Sequence, residues 1–198
     1  MSSPDSRRLE LDALADQIRD CTLCRLCESR TQAVPGNGNY HSEIVFIGEG
    51  PGKNEDIQGI PFCGASGRLL DNLLASINLA REDIFITNIV KCRPPENRDP
   101  LPDEKAVCAP TYLDHQLALI QPKLIVTLGR HALGHFLPDL KISQVHGQPK
   151  RYKGNVFLAL YHPAVALYNP GMRQALEDDF TNIPKVLRTL HKQEQHLT

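Results

Sequence analysis

Four short apolar runs, separated by segments of helical periodicity, constrain the fold more than any other feature of the sequence. The runs cover residues 43–47, 83–90, 124–129 and 156–161. Continuous apolar runs bounded by turn residues are typical of strands that are buried on both faces. Helical spacing of apolar residues marks the segments 7–20, 68–79, 104–120, 130–137 and 172–191. The pattern predicts an α/β three-layer sandwich, with a central, mostly parallel four-stranded sheet flanked by helices.

The length of the chain suits one compact unit. With 198 residues, it is predicted to form a single domain over 1–198, with an N-terminal helix and an arm over 1–42. No run reaches the roughly 18 apolar residues that a membrane span needs. Residues 1–20 also lack the apolar region of a secretory signal. We therefore expect a cytoplasmic protein without membrane association.

The net charge does not support a nucleic-acid partner by itself. It is −1 with histidines neutral, whereas many nucleic-acid binders are strongly basic. A small enzyme can still concentrate positive charge on one face, and Lys91, Arg93 and Arg98 are local candidates. A solvated surface of mixed charge is the alternative for the same residues.

Six cysteines in a reducing compartment favour metal or redox chemistry over a disulfide framework. They are Cys21, Cys24, Cys27, Cys63, Cys92 and Cys108. Four thiolates are the usual ligand set of an iron–sulfur cluster or a structural zinc ion, and the spacing does not choose between them. Alternatively, Cys92 and Cys108 are buried apolar thiols. Cys27 is a possible third ligand from the N-terminal group.

Polar side chains follow the predicted strands where each strand ends. In a parallel sheet, ligands bind at the carboxyl ends of the strands. Glu49 lies in a glycine-rich turn, Asn88 late in the second strand, and His162 directly after the fourth. Phe62, on a loop of glycine and proline, could stack on a base, although core packing is the simpler interpretation. Surface charge is the alternative interpretation for Glu55.

Taken in order, these segments resemble the type 4 uracil-DNA glycosylases, the iron–sulfur group of the uracil-DNA glycosylase superfamily. The resemblance covers roughly residues 18–188 and is most specific from Asn88 to Cys108. It rests on Gly48-Glu49-Gly50-Pro51-Gly52 with Glu55-Asp56, Gly59-Ile60-Pro61-Phe62, Thr87-Asn88-Ile89-Val90-Lys91-Cys92-Arg93-Pro94-Pro95, Asn97-Arg98, Pro100-Leu101-Pro102, Leu128-Gly129 and His162-Pro163-Ala164 with Asn169-Pro170.

The resemblance implies the fold of that superfamily and a [4Fe–4S] cluster on Cys21, Cys24, Cys92 and Cys108. It leaves Cys27 and Cys63 outside the cluster. Two positions depart from the family pattern: Cys63 stands where an aliphatic residue is usual, and Tyr168 stands where many members have a basic residue. A related group that traps DNA covalently has a long basic insertion after this cysteine motif, and the chain lacks it.

The implied activity is hydrolysis of the N-glycosidic bond of deoxyuridine in DNA, which releases uracil and leaves an abasic site. Phe62 is expected to stack on the flipped base, Asn88 to pair with its O4 and N3–H, and Glu55 to exclude the 5-methyl group of thymine. The resemblance also implies that Asn97 binds the substrate. The N–H groups near Gly50 and the His162 side chain are expected to stabilise charge on uracil O2.

Glu49 is expected to position or activate the attacking water. The partner is then uracil-containing DNA, single- or double-stranded, bound by a monomer. The main alternative is a non-catalytic iron–sulfur module of the same fold that binds DNA or senses damage. A redox carrier and a zinc enzyme are further alternatives, supported only by the cysteines.

Overall fold

A six-stranded sheet lies at the centre of the computed structural model, which describes residues 4–195. The strands are β1 (Asn37–Gly38), β2 (Ile44–Gly48), β3 (Phe85–Asn88), β4 (Leu124–Leu128), β5 (Pro149–Tyr152) and β6 (Asn155–Leu160). Their order is β1-β3-β2-β4-β6-β5. The four predicted runs form the parallel centre, β3-β2-β4-β6.

The sequence predicted four strands, and the structure has two more, one at each edge of the sheet. β1 pairs antiparallel with β3, and β5 pairs antiparallel with β6. Both strands were invisible as apolar runs because an edge strand is only partly covered and carries polar residues. β1 has two residues in a stretch of glycine and asparagine, and β5 contains Lys150 and Arg151.

Helices cover both faces of the sheet. They are α1 (Pro4–Arg19), α2 (Lys53–Gln58), α3 (Ala65–Ser76), α4 (Pro102–Cys108), α5 (Asp114–Ile120), α6 (Arg130–Phe136), α7 (Ile142–Val145), α8 (Pro163–Tyr168), α9 (Met172–Phe180) and α10 (Asn182–Gln195). Within residues 4–195, no helix is both long and apolar enough to cross a membrane.

Two predicted helices are divided, and a proline accounts for each division. The segment 104–120 is interrupted by a π-helical turn, Ala109–Leu113, which contains Pro110. The segment 172–191 divides at Thr181 into α9 and α10, with Pro184 in the first turn of α10. Proline has no N–H group and its ring clashes with the preceding turn, so a regular helix cannot continue through it.

The buried side chains form one apolar cluster on each face of the sheet. In β2, Val45 and Ile47 belong to one cluster, whereas Ile44 and Phe46 belong to the other. The first cluster includes Ile18 of α1 and the second contains residues of α3 and α10. Side chains alternate between the faces of a strand, so a strand covered on both faces is apolar at every position.

After α1, the N-terminal arm packs against the loop that follows β3. The N–H of Val34 donates to the carbonyl of Lys91 at 2.7 Å, and the N–H of Thr31 donates to the Asp56 carboxylate at 2.9 Å. These bonds place Cys21 and Cys24 on the same side of the sheet as Cys92.

Candidate active site

A cavity of about 440 Å³ opens at the carboxyl ends of β2, β3 and β6. It brings together every residue predicted from the sequence to act on substrate: Glu49, Gly50, Glu55, Phe62, Asn88, Asn97 and His162. Sequence reasoning did not assign a role in the cavity to the other lining residues: Pro51, Gly52, Ser66, Pro94, Arg98, Pro100, Ala164 and Tyr168. The roles of the predicted residues remain predictions.

Gly48 allows the walls of the cavity to approach one another closely. The N–H groups of Ile89 and Val90 donate to the carbonyls of Gly48 and Glu49 at 3.0 and 3.1 Å, which holds the turn after β2 against the end of β3. A Cβ atom on Gly48 would lie 2.4 Å from Asn88 Oδ1 and 2.9 Å from Phe62 Cζ. No larger residue fits without displacing both side chains.

Asn88, the last residue of β3, carries an unpaired acceptor. Its side chain is 2% exposed, and Oδ1 has no hydrogen-bond partner among the described residues. A buried polar group without a partner costs about 1–3 kcal/mol. Such a cost is offset when a ligand in the cavity donates to the oxygen.

Phe62 is held in a conformation that aromatic residues rarely adopt. Its φ is 51°, in the left-handed region, which costs of order 1–3 kcal/mol. The Arg81 guanidinium donates to the carbonyls of both Pro61 and Phe62 and is itself paired with Asp71 at 2.6 Å. The Phe62 ring stacks on the His162 ring, with centroids 5.4 Å apart and an angle of 29° between the ring planes. The loop thus presents a flat apolar face to the cavity.

Glu55 secures the same loop from the other side. Its Oε1 atom accepts hydrogen bonds from the N–H groups of Cys63 at 3.1 Å and Gly64 at 3.3 Å. The carboxylate therefore has a fixed place in the cavity wall next to Phe62. It is not the surface charge that the sequence left open as an alternative.

His162 has a defined tautomer and no charge at neutral pH. Its Nδ1 atom accepts a hydrogen bond from the N–H of Ala164 at 3.1 Å, which caps α8. The ring proton therefore lies on Nε2. Burial lowers the pKa of His162 to about 4, so the imidazole is neutral and offers one N–H donor.

The Glu49 side chain is about three-quarters buried, and its Oε1 atom has no hydrogen-bond partner in the described part of the chain. Burial, followed by the charge of Asp99, raises the pKa of this carboxyl group to about 7, against the opposing charges of Lys105 and Arg130. A group that titrates near neutral pH is suited to accept a proton.

The loop that carries Asn97 depends on a buried ion pair that sequence reasoning missed. Arg98 donates to both oxygens of Glu104, at 2.9 and 2.6 Å, and the Glu104 side chain is fully buried. Glu104 also accepts from the N–H of Leu101 at 2.8 Å. Arg93 donates to Asn97 Oδ1 at 2.7 Å. The predicted helix begins at Glu104, whereas α4 begins at Pro102 and so has Glu104 as its third residue, the glutamate position of a capping box.

Four cysteines lie in or against the first apolar cluster. Cys92 and Cys108 are buried in the first apolar cluster, and Cys21 and Cys24 pack against it. Burial raises the pKa of Cys92 to about 11 and also raises the pKa of Cys24 and Cys108. Thiols in such surroundings stay protonated unless a cation is present to favour the thiolate.

Donors surround these sulfur atoms. Arg30 Nη1 lies 2.9 Å from the sulfur of Cys92, and the N–H of Lys91 donates to the sulfur of Cys108 at 3.3 Å. Hydrogen bonds to the sulfurs are a usual feature of iron–sulfur sites, so the site fits a cationic metal cluster. Cys63 lies elsewhere, in the loop that Glu55 holds.

Lys91 was considered as a surface cation from the sequence, and this was wrong. Its side chain is 1% exposed, and burial lowers its pKa to about 7. The ammonium donates to Thr87 Oγ1 at 2.6 Å, the carbonyl of Asn88 at 2.8 Å and Gln116 Oε1 at 2.7 Å. Lys91 therefore connects the cysteine site to the strand that carries Asn88.

Fold and cavity together define an α/β protein whose cavity, at the carboxyl ends of the strands, is lined by an aromatic ring, a buried amide, a carboxylate and a neutral histidine. The model of the uracil DNA glycosylase superfamily matches residues 35–188, and the chain belongs to that superfamily. This confirms the resemblance inferred from the motifs.

Named relatives are similar over most of their length. The chain is 48% identical over 189 residues to the type-4 uracil-DNA glycosylase of Saccharolobus solfataricus, which aligns 89% of this chain with 86% of that protein. It is 46% identical over 186 residues to the type-4 enzyme of Archaeoglobus fulgidus, covering 87% and 91% of the two chains. A type-5 uracil-DNA glycosylase of Thermus thermophilus is 33% identical over 187 residues, covering 73% and 84%.

Proposed function

We propose that this chain hydrolyses the N-glycosidic bond of deoxyuridine in DNA, releasing uracil and leaving an abasic site. The observation that carries the proposal is the buried Oδ1 atom of Asn88, which has no hydrogen-bond partner among residues 4–195 and lines the same cavity as Phe62. It offers an acceptor to a donor on a planar ligand, which uracil N3–H supplies. The type-4 relatives, with 48% and 46% identity, support the same activity.

Recognition begins with extrusion of the nucleotide from the DNA stack, because the glycosidic bond is inaccessible inside a duplex. The extruded base stacks on Phe62, which Arg81 and Glu55 hold in place. Asn88 Oδ1 accepts from uracil N3–H, and its amide N–H group donates to O4. Discrimination follows because a base that leaves one of these buried groups unpaired loses much of its binding energy.

Cleavage breaks the bond between C1′ and N1, and the bonding electron pair leaves with uracil. The Nε2–H of His162 and the backbone N–H near Gly50 stabilise the negative charge on uracil O2. The Glu49 carboxylate favours the developing sugar cation. It then takes a proton from water while the water oxygen bonds to C1′. Since Glu49 must be ionised, the rate rises as pH increases through its pKa.

For the four cysteines we propose a [4Fe–4S] cluster on Cys21, Cys24, Cys92 and Cys108. One zinc ion, about 2.3 Å from each sulfur, would bring the sulfurs to within about 4 Å of one another. Within residues 4–195, one group of three metal-binding side chains has all its ligand atoms within 4.8 Å of one another. That group lies at a different place and contains no cysteine. No three of the cysteine sulfurs meet this limit in the described part of the chain, which favours a cluster over a single zinc ion. When bound, the cluster supplies a structural cross-link between the arm and the loop after β3.

The DNA partner contacts the cavity mouth, where Tyr168 is 88% exposed. Either single- or double-stranded DNA is compatible with the proposal, because extrusion leaves the reacting nucleotide unpaired in the cavity in both cases. The monomeric state, the single domain and the cytoplasmic location expected from the sequence stay predictions.

The deciding experiment is release of free uracil from oligonucleotides by anaerobically purified protein. Substrates with U·G, U·A and single-stranded uracil are compared with matched oligonucleotides that carry thymine or cytosine. We expect uracil release from the first set and about 10²-fold or greater loss in Asn88→Ala, because two buried hydrogen bonds to the base are removed. DNA binding without any excision would favour the non-catalytic, damage-sensing alternative.

A further inference from the structure

The unpaired carboxylate oxygen of Glu49 faces a histidine that the proposed mechanism does not use. Nδ1 of His131, in the first turn of α6, lies 3.7 Å from Glu49 Oε1. This distance is longer than a hydrogen bond, and both side chains are about three-quarters buried. Glu49 and His131 also line a second cavity, which adjoins the first.

Arg130 determines which nitrogen of His131 carries the proton. Its Nε–H group donates to His131 Nε2 at 3.0 Å. Asp99 Oδ2 also lies 3.2 Å from Nε2, but the Arg130 N–H group already engages the lone pair of this nitrogen, so a neutral ring carries its proton on Nδ1. Burial lowers the pKa of His131, which keeps the ring neutral near pH 7. The Nδ1–H group is therefore the one that faces Glu49.

A divalent cation is a less suitable occupant of this place. Ligand atoms of Glu49, Asp99 and His131 all lie within 4.8 Å of one another. However, Arg130 already occupies the lone pair of Nε2, and its guanidinium lies 3.7 Å from Asp99. Lys105 adds a second positive charge that acts on Glu49. These cations oppose the binding of a metal ion. His131 is instead suited to donate a hydrogen bond to Glu49.

We propose that His131 is a positioning residue for Glu49, donating through Nδ1 to its carboxylate once DNA fills the cavity. The inference rests on the proposed function, in which Glu49 acts on water. Closing the gap from 3.7 Å to about 2.9 Å is a small movement, and catalytic hydrogen bonds often tighten only when substrate binds. A hydrogen bond to the ionised form favours ionisation, so His131 offsets the burial that opposes it.

The charged groups that act on Glu49 and His131 are Asp99 from the loop before α4, Lys105 from α4 and Arg130 from α6. A change confined to His131 removes none of these three charges, although it frees the Arg130 N–H group and the Asp99 carboxylate from their contacts with the ring. Its effect on the pH dependence of the rate therefore reports on the ionisation of Glu49.

The experiment measures single-turnover uracil excision against pH for the wild type, His131→Phe and His131→Asn. For His131→Phe, we expect the acidic limb of the rate–pH profile to shift to higher pH by about one unit. Below this limb, excision should be about tenfold slower than in the wild type, and above it the rate should recover. His131→Asn should restore the wild-type limb, because its amide can donate from nearly the same position as Nδ1. His135→Phe, one turn further along α6 and lining a different cavity, is the matched control.

Two further arms make each outcome decisive. In a Glu49→Gln background, His131→Phe should add no further loss, and an added loss would overturn the proposal. Superimposable profiles, or an equal loss at every pH, would overturn it as well. If His131→Phe lowers the melting temperature, His131→Asn decides: recovered stability without a recovered limb also refutes the role. Failure of the wild type to excise uracil would instead refute the proposed function.

Discussion

Replacing Gly48 with alanine tests the geometry of the base-binding cavity without removing any polar group. The φ angle of Gly48 lies outside the left-handed region, so alanine causes no backbone strain there. The added methyl group would lie 2.4 Å from Asn88 Oδ1, whereas ordinary contacts begin near 3.4 Å. The Asn88 amide must therefore retreat by about 1 Å, and a displacement of that size can reduce a rate about 10²-fold.

The assay is single-turnover excision from a uracil-containing oligonucleotide, with far-UV circular dichroism and iron content measured on the same samples. Gly134→Ala is the matched control, because a Cβ atom there meets nothing within 4 Å and alanine favours the helix by about 1 kcal/mol. We expect Gly134→Ala to excise at the wild-type rate. Gly48→Ala with an intact fold and an undiminished rate would refute our account of the cavity.

Three further predictions follow from the site. His162→Ala should slow single-turnover excision by about 10²–10³-fold while DNA affinity, measured by fluorescence anisotropy, stays within a few-fold of the wild type. Cys108→Ser should lose iron and visible absorbance in anaerobic preparations, whereas Cys63→Ser should retain both. Glu104→Gln should lower the melting temperature by a few degrees. The loss is modest because Arg98 is about a third exposed and water screens the pair. Since Arg98 lowers the pKa of Glu104, the stability that this pair provides is present above the ordinary glutamate pKa and is lost as pH falls below it.

Each prediction has an outcome that contradicts it. A DNA affinity that falls as much as the rate in His162→Ala would place this residue in binding and not in the chemical step. Full iron content in Cys108→Ser would remove that cysteine from the ligand set. An unchanged acid-unfolding midpoint in Glu104→Gln would show that the ion pair does not stabilise the loop.

Much of the fold was predictable because burial on both faces leaves a strong signal. The four parallel strands are apolar at nearly every position, so they stand out from their surroundings. β1 and β5 escaped detection because they lie at the edges, where polar residues are tolerated. The helix divisions at Pro110 and Pro184 were foreseeable from the chemistry of proline, but helical periodicity continues past both residues and concealed them.

The sequence by itself determined that Glu49, Asn88 and His162 meet. Each follows a parallel strand, and the carboxyl ends of such strands lie at one edge of the sheet. Only the tertiary structure decided the chemical state of each group. Burial and Asp99 set the pKa of Glu49, and the N–H of Ala164 sets the tautomer of His162. Gly48 approaches Asn88 closely, and the buried Oδ1 atom of Asn88 has no hydrogen-bond partner among the described residues. A protonation state depends on every charge and dipole nearby, and residues distant in sequence supply most of them.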